Sequence, residues 1–177
     1  YLLGDADARL IILEPEKKAL IQEIAPDLKQ LEVSTTRPYG ETQFFRSASD
    51  QVAPINLAPD DPALVIYTSG TTGNPKGVMS THAIAAAASG SIIAYLGNRE
   101  DDIILSVLPL SFDYGLYQIL MAFRFGGTVV LEKSFMYPVK VLEKIGQYRI
   151  TGFPLVPTMA ALIFEIGDLS KFDFGSL

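Results

Sequence analysis

The chain has 177 residues, enough for one domain with a core of its own. Hydrophobic residues make up 49% and charged residues 19%, a globular profile, and a net charge of −6 argues against nucleic acid or an anionic membrane surface as the main partner. Cysteine is absent and histidine occurs once, which excludes disulfides, zinc–thiolate sites, a cysteine nucleophile and a multi-histidine metal centre.

The opening residues, Tyr1-Leu-Leu-Gly-Asp-Ala-Asp, lack a basic start and soon turn acidic. No targeting segment is read there, and the cytoplasm is the expected compartment. A start without methionine suggests a piece of a longer protein. Residues 8–13 (ARLIIL) are expected to form a strand. Glu14-Pro15 opens a helix, since proline is tolerated in a first turn; Leu20, Ile21 and Ile24 share one face, and Pro26 closes it. Residues 31–33 form a weak strand. From Ser34 to Pro62 the chain is polar and irregular, with Pro38, Gly40, Pro54 and Pro59. It reads as a surface excursion, with a recognition site at Arg37, Arg46 and Phe44-Phe45 as the alternative.

Residues 63–67 (ALVIY) are an apolar run short enough for a buried strand. Directly after it come Thr68, Ser69, Gly70, Thr71, Thr72 and Gly73, then Pro75, Lys76 and Gly77. Glycines let backbone amides approach a ligand, such amides form an anion-favouring concavity, hydroxyls add donors and lysine adds a mobile positive charge. A polyphosphate fits that chemistry best; a plain polar turn is the alternative. The Walker A pattern fails here, because Pro75 stands at its second glycine and Gly77 where it needs Ser or Thr.

Residues 77–79 should be a short strand, with Ser80 or Thr81 capping a helix that begins near His82 and runs over 83–96. That helix is rich in alanine, and Gly90 costs it about 1 kcal/mol. Small side chains allow close approach, so it is expected to be buried. It is too short to span a bilayer, and no integral membrane segment is read. Residues 103–108 form a strand ending at Pro109, residues 114–125 a helix ended by Gly126-Gly127, and 128–131 a strand. Residues 138–148 form a helix with Val141, Leu142, Ile145 and Tyr148 in register. Residues 150–156 read as a strand interrupted by Pro154, and Pro157-Thr158 opens a last helix through Ile166, ended by Gly167. The alternation indicates α/β architecture with a largely parallel sheet. Ligands of such sheets sit beyond the carboxyl ends of strands, where the loop from Thr68 to Lys76 is placed.

The stretch Tyr67-Thr68-Ser69-Gly70-Thr71-Thr72-Gly73, with Pro75-Lys76-Gly77-Val78 and His82, resembles the phosphate-binding loop of the AMP-forming acyl-adenylating superfamily. That group comprises acyl-CoA synthetases, aryl-CoA ligases, luciferases and adenylation domains of peptide synthetases. The resemblance covers essentially the whole chain and implies part of the family's large N-terminal, AMP-binding domain, with the C-terminal domain outside residues 1–177. It implies ATP, Mg²⁺ and coenzyme A as cofactor and co-substrates, and a small carboxylic acid, fatty, aryl or amino, as substrate. An acyl carrier protein is the alternative acceptor. Thr68, Ser69, Gly70, Thr71, Thr72, Gly73, Lys76 and Gly77 would hold the β- and γ-phosphates, with Lys76 and Thr71 carrying the catalytic duty. Mg²⁺ would bridge phosphates, with no metal ligands assigned to this chain.

A second stretch, Leu108-Pro-Leu-Ser-Phe-Asp-Tyr-Gly-Leu-Tyr117, resembles the family segment that lines the acyl pocket. Phe112, Asp113, Tyr114 and Gly115 are the implied substrate-binding residues. Many acyl-CoA synthetases have histidine where Phe112 stands. Phe112-Asp113 is the peptide-synthetase pattern, in which the aspartate holds an α-amino group, whereas Tyr114-Gly115-Leu116 looks more like acyl-CoA ligases. Asp113 as a helix N-cap is the other reading. His82 is read as a packing residue at a helix start, with an acid–base role as the alternative. Tyr67 is expected in the core with its hydroxyl near polar loop atoms. Phe123, Phe125, Phe153, Met159 and Phe164 are expected to form core, a few of them lining an acyl pocket. Nothing matches the family's later adenine, ribose and C-terminal lysine motifs, so the isolated chain is expected to be inactive. The leading expectation is an acyl-CoA ligase fragment; an amino-acid adenylation domain and a non-catalytic nucleotide-binding module are the alternatives.

Overall fold

β-Branched and leucine-rich runs separated by Gly, Pro and Asp set the alternation of elements, because branched side chains suit a pleated surface and Gly and Pro interrupt it. The computed structural model describes residues 1–33, 55–69 and 73–177. In order these hold α1 (Leu2–Asp5), β1 (Leu10–Leu13), a 3-10 turn (Pro15–Lys17), α2 (Lys18–Ile24), β2 (Lys29–Glu32), β3 (Pro62–Thr68) and β4 (Lys76–Thr81). Then follow α3 (His82–Leu96), β5 (Ile103–Ser106), α4 (Asp113–Phe125), β6 (Thr128–Leu131), α5 (Pro138–Tyr148) and α6 (Pro157–Glu165). The polar excursion expected at 34–62 lies largely outside the described residues, and Pro62 opens β3 rather than closing a loop.

The α/β class and the largely parallel pairing are as expected, and the described strands form three two-stranded pairs. β1 and β2 run parallel with Leu10 opposite Lys29, and β5 and β6 run parallel with Ile103 opposite Thr128. β3 and β4 pair with each other. Thr68 reaches Lys76, and the His82 N–H reaches the Asp61 carbonyl, a pattern only an antiparallel hairpin permits. The physical reason is length: the connection 69–75 is shorter than the dozen or so residues a parallel crossover needs. β3 is also half-exposed, not a buried strand. The strand expected at 150–156 reduces to a single parallel bridge between Ile104 and Gly152. Pro154 has no N–H to extend a ladder.

The chain divides into two compact units, Tyr1–Ala58 with Tyr67–Val78, and Pro59–Ile66 with Met79–Leu177. In the first, only Ile21 of the apolar face on α2 is buried; Leu20 and Ile24 are exposed, and Ile21 and Ile24 line an open apolar hollow with Leu2, Ile11 and Leu28. Lys18 donates to Glu32 at 2.5 Å, joining α2 to β2. Both groups are exposed, so the pair adds little stability.

The core of the second unit is Leu105, Val107, Leu108, Val141, Leu142, Ile145, Ile150 and Met159. Val141, Leu142 and Ile145 repeat at helical spacing on α5 and all point inward, while Tyr148 stays largely exposed. Phe135 and Phe153 meet at a centroid distance of 6.2 Å beside this core. Lys144 of α5 pairs with Glu132 just after β6. The C-terminal segment docks through Leu169, Phe172 and Phe174, and the Ser176 hydroxyl donates to the Ile150 carbonyl at 2.7 Å.

Helix α3 departs from expectation. Thr81 caps it, its hydroxyl accepting the Ile84 N–H at 3.3 Å, yet Ser89 is its only buried residue. Ile84, Tyr95 and Leu96 are exposed. Apolar side chains surround this helix, so no single face turns all of them inward.

Asp102 ties the turn before β5 to Thr151. It accepts from the Asn98 amide at 3.1 Å, the Arg99 N–H at 2.9 Å and the Thr151 hydroxyl at 2.9 Å. Burial alone would raise its pKa, but these donors outweigh it and hold the carboxyl below the ordinary value of 3.8. The native state therefore binds fewer protons than the unfolded chain near that pH. The stabilisation is complete above pH 3.8 and is lost as pH falls through the lower folded value. Asp102→Asn is expected to lower stability at pH 7 by about 1 kcal/mol, discounted for partial exposure. Urea midpoints of both proteins should stay apart above pH 3.8 and converge as pH falls below it; a gap that stays constant would show that the carboxylate charge contributes nothing.

Candidate functional site

β3 ends at Thr68 and β4 begins at Lys76, so hairpin pairing brings these two residues together: the Thr68 hydroxyl donates to the Lys76 carbonyl at 3.5 Å. Thr68, Ser69, Gly73, Lys76 and Gly77 are all exposed. Gly70, Thr71 and Thr72 lie outside the described residues. Gly73 has φ +98° with nothing within 4 Å of a would-be Cβ, so its glycine identity answers a backbone conformation, not a lack of space. Among the described residues Lys76 has no ion-pair partner.

Tyr67 corrects an expectation. Its hydroxyl donates to Asp5 at 2.7 Å, and that is the bond it makes among the described residues. That bond, with further contributions from burial and the Asp5 charge, pushes its pKa up to about 12. The pair joins residues 62 positions apart, and nothing local in the sequence signals it.

Residues 112–115 gather in the second unit, whereas the described loop residues Thr68, Ser69, Gly73, Lys76 and Gly77 belong to the first or end it. Phe112 occupies the N-cap position of α4 without a side-chain bond, and Asp113 is the first helical residue. Asp113 is therefore not the N-cap. Its Oδ1 accepts the Tyr114 N–H at 2.7 Å, which places an exposed carboxylate in a helical first turn, where the backbone dipole favours negative charge. Phe112 and Tyr114 are both substantially exposed. Gly115 is buried, and a Cβ there would lie 2.3 Å from the Pro109 carbonyl oxygen, so only glycine allows this turn. Gln118, also buried, donates to the Tyr114 carbonyl at 3.2 Å.

His82 is half-buried at the start of α3. Its N–H and that of Ala83 donate to the carbonyls of Asp61 at 3.1 Å and Pro59 at 2.8 Å. With the Ile84 N–H on Thr81, the first amides of α3 are already bonded to protein acceptors. Of the apolar set, Met159 is core and Phe153 packs against it, but Phe123 and Phe164 are exposed. Met121 and Ala122 take the inward positions on α4, which turns Phe123 outward; Met159 and Ile163 do the same to Phe164 on α6. Arg124, unremarked in the sequence, reaches α3 and contacts Ala86 and Ser89. An arginine next to an aromatic run carries no local signal of that reach.

Comparison with known proteins follows this geometry. A family model described as AMP-binding enzyme matches residues 1–177. The chain is 31% identical over 173 residues to the indigoidine synthase of Dickeya dadantii (strain 3937), covering 96% of this chain and 11% of that protein. It is 31% identical over 166 residues to the 3-hydroxybenzoate–CoA ligase of Aromatoleum sp. (strain CIB), covering 90% of this chain and 32% of that protein. Among solved structures it resembles the o-succinylbenzoate CoA synthetase of Bacillus subtilis in complex with its acyl-adenylate intermediate. That match has 27% identity and a TM-score of 0.77, and covers 93% of this chain and 40% of that one. The chain thus spans between about a tenth and a third of the length of these curated relatives. Among the described residues, no helix is long and apolar enough to cross a membrane.

Proposed function

The chain belongs to the AMP-binding enzyme family, and from that premise we propose that the full-length protein is an acid–thiol ligase of the AMP-forming acyl-CoA synthetase type. One observation carries the site assignment: an exposed lysine without an ion-pair partner among the described residues stands at the mouth of a hairpin beside Thr68. In this reading a carboxylate oxygen attacks the α-phosphorus of ATP, the bond to the β-phosphate oxygen breaks, and pyrophosphate leaves. A thiol, that of coenzyme A, then takes the acyl group and releases AMP.

The protein's part is positioning and charge neutralisation. Lys76 places its ammonium against the β- and γ-phosphates. Thr68, Ser69, Thr71 and Thr72 offer hydroxyl donors, and Gly70, Gly73 and Gly77 let backbone amides come close. Lys76 with Thr71 serves the transition state; residues 112–115 receive the acid. Mg²⁺ would enter with the nucleotide and would supply charge neutralisation at the phosphates.

Amino-acid adenylation with delivery to a carrier protein is the second reading. The exposed Asp113 carboxylate, free at Oδ2 of any bond given by the described residues, suits an ammonium group. Pyrophosphate exchange by the full-length protein separates the two. Aryl acids come first, because one relative is named for 3-hydroxybenzoate. Exchange with aryl or fatty acids and consumption of coenzyme A are expected. Exchange with amino acids alone would shift the assignment to the second reading, and no exchange above the acid-free background would overturn adenylation.

A further inference from the structure

Helix α3 carries a notch shaped for a guanidinium. Arg124, in the last turn of α4, donates through Nη1 to the Ala86 carbonyl and, at 2.7 Å, to the Ser89 hydroxyl. Ser89 is 5% exposed and donates its own proton to the Ala85 and Ala86 carbonyls at 2.8 and 3.1 Å, leaving its oxygen to accept. Gly90 completes the notch. A Cβ there would lie 2.9 Å from Nη2 and 3.1 Å from Nη1. A mid-helix glycine costs about 1 kcal/mol against alanine, and here its absence of a side chain is what admits the arginine.

We propose that Arg124 is a positioning residue for acid recognition: by locking α4 to α3 it sets where residues 112–115 stand. The proposal rests on the adenylation reading above. Helix α4 is one continuous helix of 13 residues that joins Arg124 to the turn that opens it. At that turn Gly115 leaves no room for a side chain, since an added Cβ would lie 2.3 Å from the Pro109 carbonyl oxygen. The two bonds from Arg124 go to neutral acceptors, and among the described residues no ion pair claims its charge. Both bonds leave the one nitrogen Nη1, while Nη2 lies over Gly90, so the reach of the guanidinium does the locking and the shorter ammonium of lysine reproduces it only in part.

The test is acid- and ATP-dependent pyrophosphate exchange by the full-length protein. Arg124→Ala is expected to raise KM for the acid about 5- to 10-fold, with KM for ATP and kcat held within about 2-fold. Gly90→Ala should do the same, because its methyl group evicts the far end of a flexible side chain. The double variant should then be no worse than Arg124→Ala alone, and Arg124→Lys should fall between wild type and alanine. An unmoved acid KM in both single variants, multiplying effects in the double variant, or an ATP KM that rises in step with the acid KM would overturn the proposal. Wild-type protein without any acid-dependent exchange sinks the adenylation reading itself, whereas active wild type with unmoved acid KM sinks the role of Arg124 alone.

Discussion

Replacing Lys76 by alanine is expected to slow acid-dependent pyrophosphate exchange by the full-length protein about 100-fold, equivalent to about 2.7 kcal/mol of transition-state stabilisation. Its ammonium is exposed at the first residue of β4, and no carboxylate among the described residues neutralises it. A charge so placed adds little to folding, since exposed substitutions usually stay within about 0.5 kcal/mol. The substitution should therefore leave the urea midpoint unmoved while the rate collapses. Lys76→Arg should recover part of the rate, because a guanidinium keeps the charge but not the compact ammonium geometry. An exchange rate unchanged in Lys76→Ala would instead favour a nucleotide-binding module without chemistry.

Ile145→Ala is expected to destabilise the second unit by about 3 kcal/mol, within the range of about 2 to 5 seen for such truncations. Ile145 is fully buried on α5 between Leu142 and Ile150, both of which are also almost completely buried. The lost methylenes leave a void that a close-packed interior fills only in part. With an m-value of about 1.5 kcal/mol/M, the urea midpoint should fall by roughly 2 M. Leu162→Ala on α6, 44% exposed, is the control and should move stability by less than about 0.5 kcal/mol. A loss below about 1 kcal/mol at Ile145 would show that the core is not centred there.

Much of the local structure was legible. β6 and α5 fall at the expected residues, and Thr81 caps α3 as one of two candidates. These features rest on contacts within a turn or two of chain: a proline in the first turn, a capping hydroxyl, or β-branched residues in a row. Burial was less legible. α3 reads as a buried helix from its alanines but is mostly exposed, and Phe123 and Phe164 read as core but face outward. Small or aromatic composition states what a residue tolerates, not which neighbours reach it.

The same division runs through the candidate site. The order of hydroxyls, glycines and lysine after an apolar run is a covalent fact, and with the family match it identifies an AMP-binding chain without coordinates. Tertiary structure decided that β3 and β4 close as a hairpin, that the Tyr67 hydroxyl belongs to Asp5, and that Arg124 enters the notch at Gly90. Each of these is a bond or a close approach between residues distant in sequence. Their partners are selected by the packing of whole elements, which no local pattern of side chains encodes.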